Sequence, residues 1–127
     1  MNTFKNMIIA MVMIAVMASN TYAANWVLFF SSAAELNYYY DTDSIVKTNQ
    51  GTTLVWTKSI PQKNAKFKPW RENISLSEVD CNRRIYKMLA RRITNNDYTM
   101  KNEVGCWDWV YYEPYDLDYA YLKITCN

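Results

Sequence analysis

An interrupted alternation of apolar and polar side chains lies in the middle of the chain, between Ser75 and Leu89. Every second residue from Val79 to Leu89 is apolar, at Val79, Cys81, Ile85 and Leu89, except at Arg83 and Lys87. Such alternation is typical of a half-buried strand. Helical spacing is present as well, since the apolar residues Ile85, Met88, Leu89 and Ile93 recur three or four positions apart. The pattern alone leaves strand and helix open here.

Aromatic and β-branched residues, which favour strands, are concentrated in five further segments. These segments are residues 26–30, 38–40, 52–57, 98–103 and 106–112. Turn-forming residues lie at 41–44, 49–51 and 95–97. Residues 49–51 predict a hairpin, because Gly51 takes a positive φ at no steric cost. Residues 61–71 predict an exposed loop, because they contain Pro61 and Pro69 and few apolar side chains.

The end of the chain has the pattern of an amphipathic helix. Pro114 ends the last predicted strand, and Asp116 can cap a helix in which one face carries Leu117, Tyr121 and Ile124. Strands followed by one terminal helix indicate an α+β domain. We therefore expect a small antiparallel β-sheet of about five to six strands with a C-terminal α-helix packed on it.

Residues 1–23 have the pattern of a secretory signal peptide. Lys5 precedes an apolar run at 7–18, and small residues stand at Thr21 and Ala23. The run is shorter than the roughly 20 residues that a spanning helix needs. We expect cleavage after Ala23, one domain at 24–127, no transmembrane segment and no lipid-anchor cysteine. The expected location is the periplasm or the cell surface, or the medium after secretion.

Charge is balanced overall but unevenly distributed. Residues 58–92 contain ten Lys or Arg and three acids, whereas residues 93–127 contain two Lys and six acids. The basic region offers either a solvated face or a surface for acidic partners. Its candidate ligand-binding residues are Lys66, Lys68, Trp70, Arg71, Arg83 and Arg84. Trp70 is either an exposed anchor or a ring folded over the core. Nucleic acid is not an expected partner of an exported chain with near-neutral charge.

Catalytic chemistry has little support in the sequence. Histidine, the commonest general base and a frequent metal ligand, does not occur. Asp41, Asp43 and Ser44 suggest oxygen ligation of a cation, but they lack the pattern of a calcium loop. Asp108, Glu113, Asp116 and Asp118 could include a carboxylate pair for acid and base catalysis, but solvated surface acids are the simpler interpretation. We expect no enzyme activity, no metal and no cofactor.

The three cysteines, Cys81, Cys106 and Cys126, allow one intramolecular disulfide in an oxidising compartment. Spacing alone leaves the three pairings open. A Cys81–Cys126 bridge would close the longest loop and so restrict the unfolded chain most. The third cysteine is then a buried apolar side chain or an intermolecular bridge. If Cys81 and Cys126 form the bridge, the third cysteine is Cys106, and an intermolecular bridge through it would give a homodimer.

Short motifs along the chain resemble the bacterial surface-adhesin protein E family. The motifs are Trp26, residues 39–45 (Tyr-Tyr-Asp-Thr-Asp-Ser-Ile), Val55-Trp56, residues 79–84 (Val-Asp-Cys-Asn-Arg-Arg), Trp109, and Pro114 ahead of a helix ending at Cys126. The resemblance implies an antiparallel sheet with a helix, a strand at Asp80-Cys81 and a Cys81–Cys126 disulfide. It also implies an exported cell-envelope module that binds host extracellular-matrix or serum proteins. Cys106 and the absence of a lipid-anchor motif depart from the family, so a soluble periplasmic protein of the same fold is the alternative.

Overall fold

The computed structural model describes residues 24–33, 35–105, 107–112 and 116–126. The predicted signal peptide, Cys106, Glu113 and Pro114 lie outside the described residues, as does the side chain of Asp116. The strands are β1 (Trp26–Ser31), β2 (Leu36–Asp41), β3 (Val46–Lys47), β4 (Thr53–Pro61), β5 (Glu72–Asp80), β6 (Ile85–Thr94), β7 (Met100–Val104) and β8 (Val110–Tyr111). A 3-10 turn spans Thr42–Ser44, and helix α1 spans Asp116–Thr125.

All described strand pairs are antiparallel, and the predicted α+β class with a C-terminal helix is confirmed. The main sheet path is β1-β2-β4-β5-β6-β7. The eight described strands exceed the expected number because β3 and β8 add two-residue strands beside β4 and β6. In the segment predicted as a strand at 106–112, the described residues form only the short β8.

The central stretch between Ser75 and Leu89 is a hairpin and contains neither one continuous strand nor a helix. β5 ends at Asp80, a turn occupies residues 81–84, and β6 begins at Ile85. The Asp80 carboxylate accepts a hydrogen bond from the Arg83 amide at 3.1 Å, which closes the turn. The strand implied at Asp80-Cys81 is therefore wrong for Cys81, because the chain reverses there.

The hairpin predicted at Asn49-Gln50-Gly51 is confirmed. Val46 of β3 pairs with Leu54 of β4, and the Gly51 amide donates to the Thr48 carbonyl at 3.1 Å. Gly51 has φ +80°, a conformation that side chains with a Cβ rarely adopt. The glycine is thus required by the turn that the sequence predicts.

One face of the sheet, here called the helix face, carries the core and helix α1. Thr53 and Val55 of β4 lie beside Val79 and Ser77 of β5, and Val55 and Val79 are fully buried. Tyr121 of α1 packs against rings that project from this face. Because successive strand residues point to opposite sides, the intervening residues of β4 and β5 lie on the opposite face, where they are half-buried.

The expected Cys81–Cys126 disulfide is present, with 5.6 Å between the Cα atoms. It joins the turn after β5 to the residue after α1, so it holds the end of the helix on the central hairpin. Within the described residues, no helix has the length and apolar character needed to cross a membrane.

Candidate binding surface

Two connections meet at one end of the sheet and form a surface that we call the basic tip: the β4–β5 loop at 62–71 and the β6–β7 turn at 95–99. The Arg71 amide donates to the Thr94 carbonyl at 2.8 Å. The Asn96 side chain donates to the Lys68 carbonyl, also at 2.8 Å. These bonds hold together two connections that are separated by the whole β5–β6 hairpin in sequence.

Glu35 fastens the base of the loop. Its carbonyl accepts from the Gln62 amide at 2.7 Å, and its carboxylate accepts from the Lys66 amide at 2.7 Å. The Gln62 side chain also donates to the Ser32 carbonyl at 3.2 Å. The loop is therefore held to the β1–β2 connection by backbone and side-chain hydrogen bonds.

The 95–99 turn is closed by its own side chains. Asp97 accepts from the amide and the hydroxyl of Thr99 at 3.0 and 2.6 Å, and these bonds lower the pKa of Asp97. Tyr98 has φ +68°, the left-handed conformation, and its ring lies 4.1 Å from the Arg71 guanidinium. The turn thus holds an aromatic ring against a cation of the neighbouring loop.

The basic tip exposes apolar rings beside positive charges. Phe67 is 75% exposed, and Tyr98 is 68% exposed. The exposed basic side chains around them are Lys63, Lys66, Lys68 and Arg71. None of these four forms an ion pair with an acid in the part of the chain that the structure describes. Glu35 and Asp97 are engaged by donors from the connections at this end of the sheet, and the neighbouring Glu72 pairs with Lys58 at 4.0 Å.

Trp70 differs from the exposed rings. It is half-buried, and its indole Nε1 is enclosed without a hydrogen-bond partner among the described residues. Of the two interpretations open from the sequence, this geometry favours a ring that packs against the fold. Phe67 takes the exposed aromatic position that the sequence analysis considered for Trp70.

Arg83 and Arg84 do not join the basic tip. They lie in the turn after β5, whereas Lys66, Lys68 and Arg71 precede it. β5 has nine residues, so the two groups are about 26 Å apart along the strand. The basic region seen in the sequence is therefore divided between opposite ends of the sheet.

The oxygen ligands considered for a cation belong to a hydrogen-bonded turn. Asp41 accepts from the Asn25 and Asp43 amides, each at 3.1 Å, and the Ser44 hydroxyl donates to the Asp41 carbonyl at 2.8 Å. Among the described residues, no group of three potential metal ligands is found.

Two of the four acids weighed as a carboxylate site, Asp108 and Asp118, line one cavity beneath α1. The remaining two have no described side chain. The sequence analysis considered a carboxylate pair among these acids but preferred solvated surface acids, and it missed Phe67 and Tyr98 as parts of the basic tip. A local signal existed for Tyr98, since it follows the turn residues Asn95-Asn96-Asp97 directly.

Comparison of the chain with protein-family models, with characterised proteins and with solved structures finds no match.

Proposed function

We propose that this protein is an exported, non-catalytic binding module of the cell envelope that holds acidic segments of partner proteins at the basic tip. The observation that carries the proposal is the exposure of Phe67 and Tyr98 among basic side chains without acidic partners. The resemblance to surface-adhesin protein E supports host extracellular-matrix or serum proteins as the partners.

Two physical effects would act in sequence at such a surface. Clustered positive charge raises the encounter rate with an acidic segment, and this gain falls as salt screens the charges. Exposed aromatic rings then lose water on contact and slow dissociation. The hydrogen bonds from Glu35 to the loop reduce the ordering cost, because the loop backbone is already held before the partner arrives.

A binding role is also supported by the absence of histidine from the sequence and by the hydrogen bonds that account for the Asp41 and Asp43 turn. No ordered set of acid, base and nucleophile was identified among the described residues. The proposal therefore assigns the chain recognition and assigns it no reaction.

The decisive experiment compares two charge reversals of equal size at opposite ends of the sheet. Lys66→Glu with Lys68→Glu changes the basic tip, and Arg83→Glu with Arg84→Glu is the matched control. Association with a synthetic Asp/Glu-rich peptide, and with purified matrix and serum proteins, is measured by surface plasmon resonance at two salt concentrations. We expect the tip variant to associate about tenfold more slowly at low salt, and the control to change much less.

Equal slowing in both variants would mean that net charge, and not the basic tip, controls association. Unchanged association in a folded tip variant would refute the proposal. A third variant, Phe67→Ala, should leave association nearly unchanged and speed dissociation, because its ring contributes contact area after the encounter.

Location separates the surface adhesin from the alternative, a soluble periplasmic protein with a structural or interaction role. Intact cells are treated with a protease before the protein is detected. Digestion supports exposure on the outer surface, whereas protection that is lost when the outer membrane is opened supports the periplasmic alternative.

A further inference from the structure

A cavity of about 370 Å³ lies between helix α1, the helix face of the sheet and the segment before β8. Its volume lies within the range of small-molecule sites. It shares no residue with the basic tip, so it stands as a separate feature of the fold.

Aromatic rings from five parts of the chain form its walls. These rings belong to Phe29 of β1, Tyr38 of β2, Tyr86 of β6, Trp107, and Tyr121 of α1. Tyr121 is central, with its ring centroid 6.2 Å from that of Phe29 and 6.1 Å from that of Tyr86. Because aromatic faces carry negative charge density, such walls suit both an apolar body and a cation.

Small hydroxyl side chains form its floor. Thr57 of β4 and the β5 residues Ser75 and Ser77 line the cavity, on the face that carries the core. Larger apolar residues at these positions would fill the space under α1, so the cavity follows from the small side chains. Ser77 is only 6% exposed, and it offsets part of the burial effect that raises the pKa of Tyr121 to about 12.

The charged side chains among the described residues that line the cavity have one sign, although the Arg91 guanidinium lies 5.8 Å from the centroid of the Trp107 ring. Asp108 and Asp118 are the charged side chains among its described lining residues. Asp118 lies close enough to the rings that its charge adds to the effect of burial in raising the pKa of Tyr86. Aromatic walls and negative charge together form an environment that attracts cations and disfavours anions.

We propose that this cavity binds a small organic cation, with its ammonium group towards Asp108 and Asp118 and its apolar body against the aromatic walls. The carboxylates supply the charge preference, while Tyr86, Trp107 and Tyr121 supply contact area. The floor hydroxyls offer hydrogen bonds to a polar substituent or to water retained beside the ligand.

The test uses two probes of similar size, one cationic and one neutral, for which we predict different affinities. Isothermal titration calorimetry of the exported protein compares 2-phenylethylammonium with the neutral 2-phenylethanol. We expect the cation to bind about tenfold more tightly, with an advantage that shrinks as salt rises. NMR chemical-shift changes of backbone amides on adding the cation should be largest for residues of the cavity, including Ser77, Trp107 and Tyr121.

Asp108→Asn is the lead variant, because Asp108 is exposed and its replacement is not expected to disturb folding. It should weaken binding of the cation about two- to fivefold and leave binding of the alcohol unchanged. Asp43→Asn removes the same charge from an exposed residue that does not line the cavity, so it is the matched control.

Three results would overturn the inference: equal affinity for the two probes, equal effects of the two variants, or shifted amides that lie away from the cavity. The source of the ammonium group is tested with Nα-acetyl-lysine methylamide. Binding of this probe as tight as that of 2-phenylethylammonium would reassign the cavity to a lysine side chain of a protein partner.

Discussion

The two ends of the β5–β6 hairpin are built in different ways. At the turn end, called here the disulfide end, Cys81 is covalently joined to Cys126 after α1. At the basic tip, hydrogen bonds and the stacking of Arg71 on Tyr98 hold the connections together. Exposed rings are displayed at the tip, where no covalent link is present among the described residues.

The two ends differ in what holds them, which separates the stability of the fold from the recognition proposed for the basic tip. The bridge spans 45 residues and fixes the helix over a core in which Val55 and Val79 are fully buried. A small sheet with few fully buried apolar side chains gains much from such a constraint. We expect the tip to contribute less to folding, because Phe67 and Tyr98 are exposed and its connections are held without a covalent link among the described residues. The predictions below test this division.

The largest expected effect comes from removing the bridge. Replacing Cys81 and Cys126 by Ser should lower the free energy of unfolding by about 4 kcal/mol, because the unfolded chain regains the freedom of a 45-residue loop. Urea denaturation followed by circular dichroism measures the change.

Cys106→Ser is the control, since it retains the bridge cysteines. It should keep the stability of the parent protein, and a comparable loss would show that the third thiol supports the fold. A dimer band that disappears on reduction in the parent and is absent from this variant would instead assign Cys106 to the intermolecular bridge considered from the sequence.

A smaller effect is expected from the two aromatic residues of the tip. Trp70→Ala should cost about 2 kcal/mol of unfolding free energy, because it removes a half-buried ring. Phe67→Ala should cost less than about 0.5 kcal/mol, because its ring is 75% exposed. Chemical denaturation of both variants gives the comparison, and equal losses would contradict the different roles assigned to the two rings.

Local sequence patterns predict the elements better than their arrangement. The spacing of Leu117 and Tyr121 indicates the helix, and Gly51 marks the β3–β4 hairpin that the structure contains. The turn at 81–84 escaped prediction because it contains neither Gly nor Pro and depends on the Asp80 carboxylate and on a left-handed Arg84. Apolar residues occupy alternate positions on both sides of the turn, so the alternation does not reveal where the chain reverses.

The candidate sites depend on contacts between distant residues. Arg71 meets Tyr98 only because β5 and β6 pair along their length, and the cavity joins Phe29 to Tyr121 across nearly the whole domain. Sequence reasoning instead grouped Arg84 with Lys68 because both are basic and near in number. The length of the intervening strand separates them.

The smallest expected effect compares the two left-handed residues of the hairpin ends, Arg84 with φ +55° and Tyr98 with φ +68°. Glycine relieves the steric cost of this conformation, although it also increases the freedom of the unfolded chain. Arg84→Gly should therefore stabilise the protein by about 0.5 to 1 kcal/mol, because Arg84 is exposed and its carbonyl still accepts from the Tyr112 amide.

Tyr98→Gly gains the same relief but loses the stacking on Arg71, worth about 0.5 to 1 kcal/mol, so its net effect on stability should be near zero. Thermal denaturation of both variants in an Arg71→Ala background isolates the stacking contribution. In that background the two glycine substitutions should become equally stabilising. If Tyr98→Gly is still less stabilising than Arg84→Gly in that background, the Tyr98 ring makes stabilising contacts other than the one with Arg71. The basic tip would then contribute more to stability than we expect from its exposed rings.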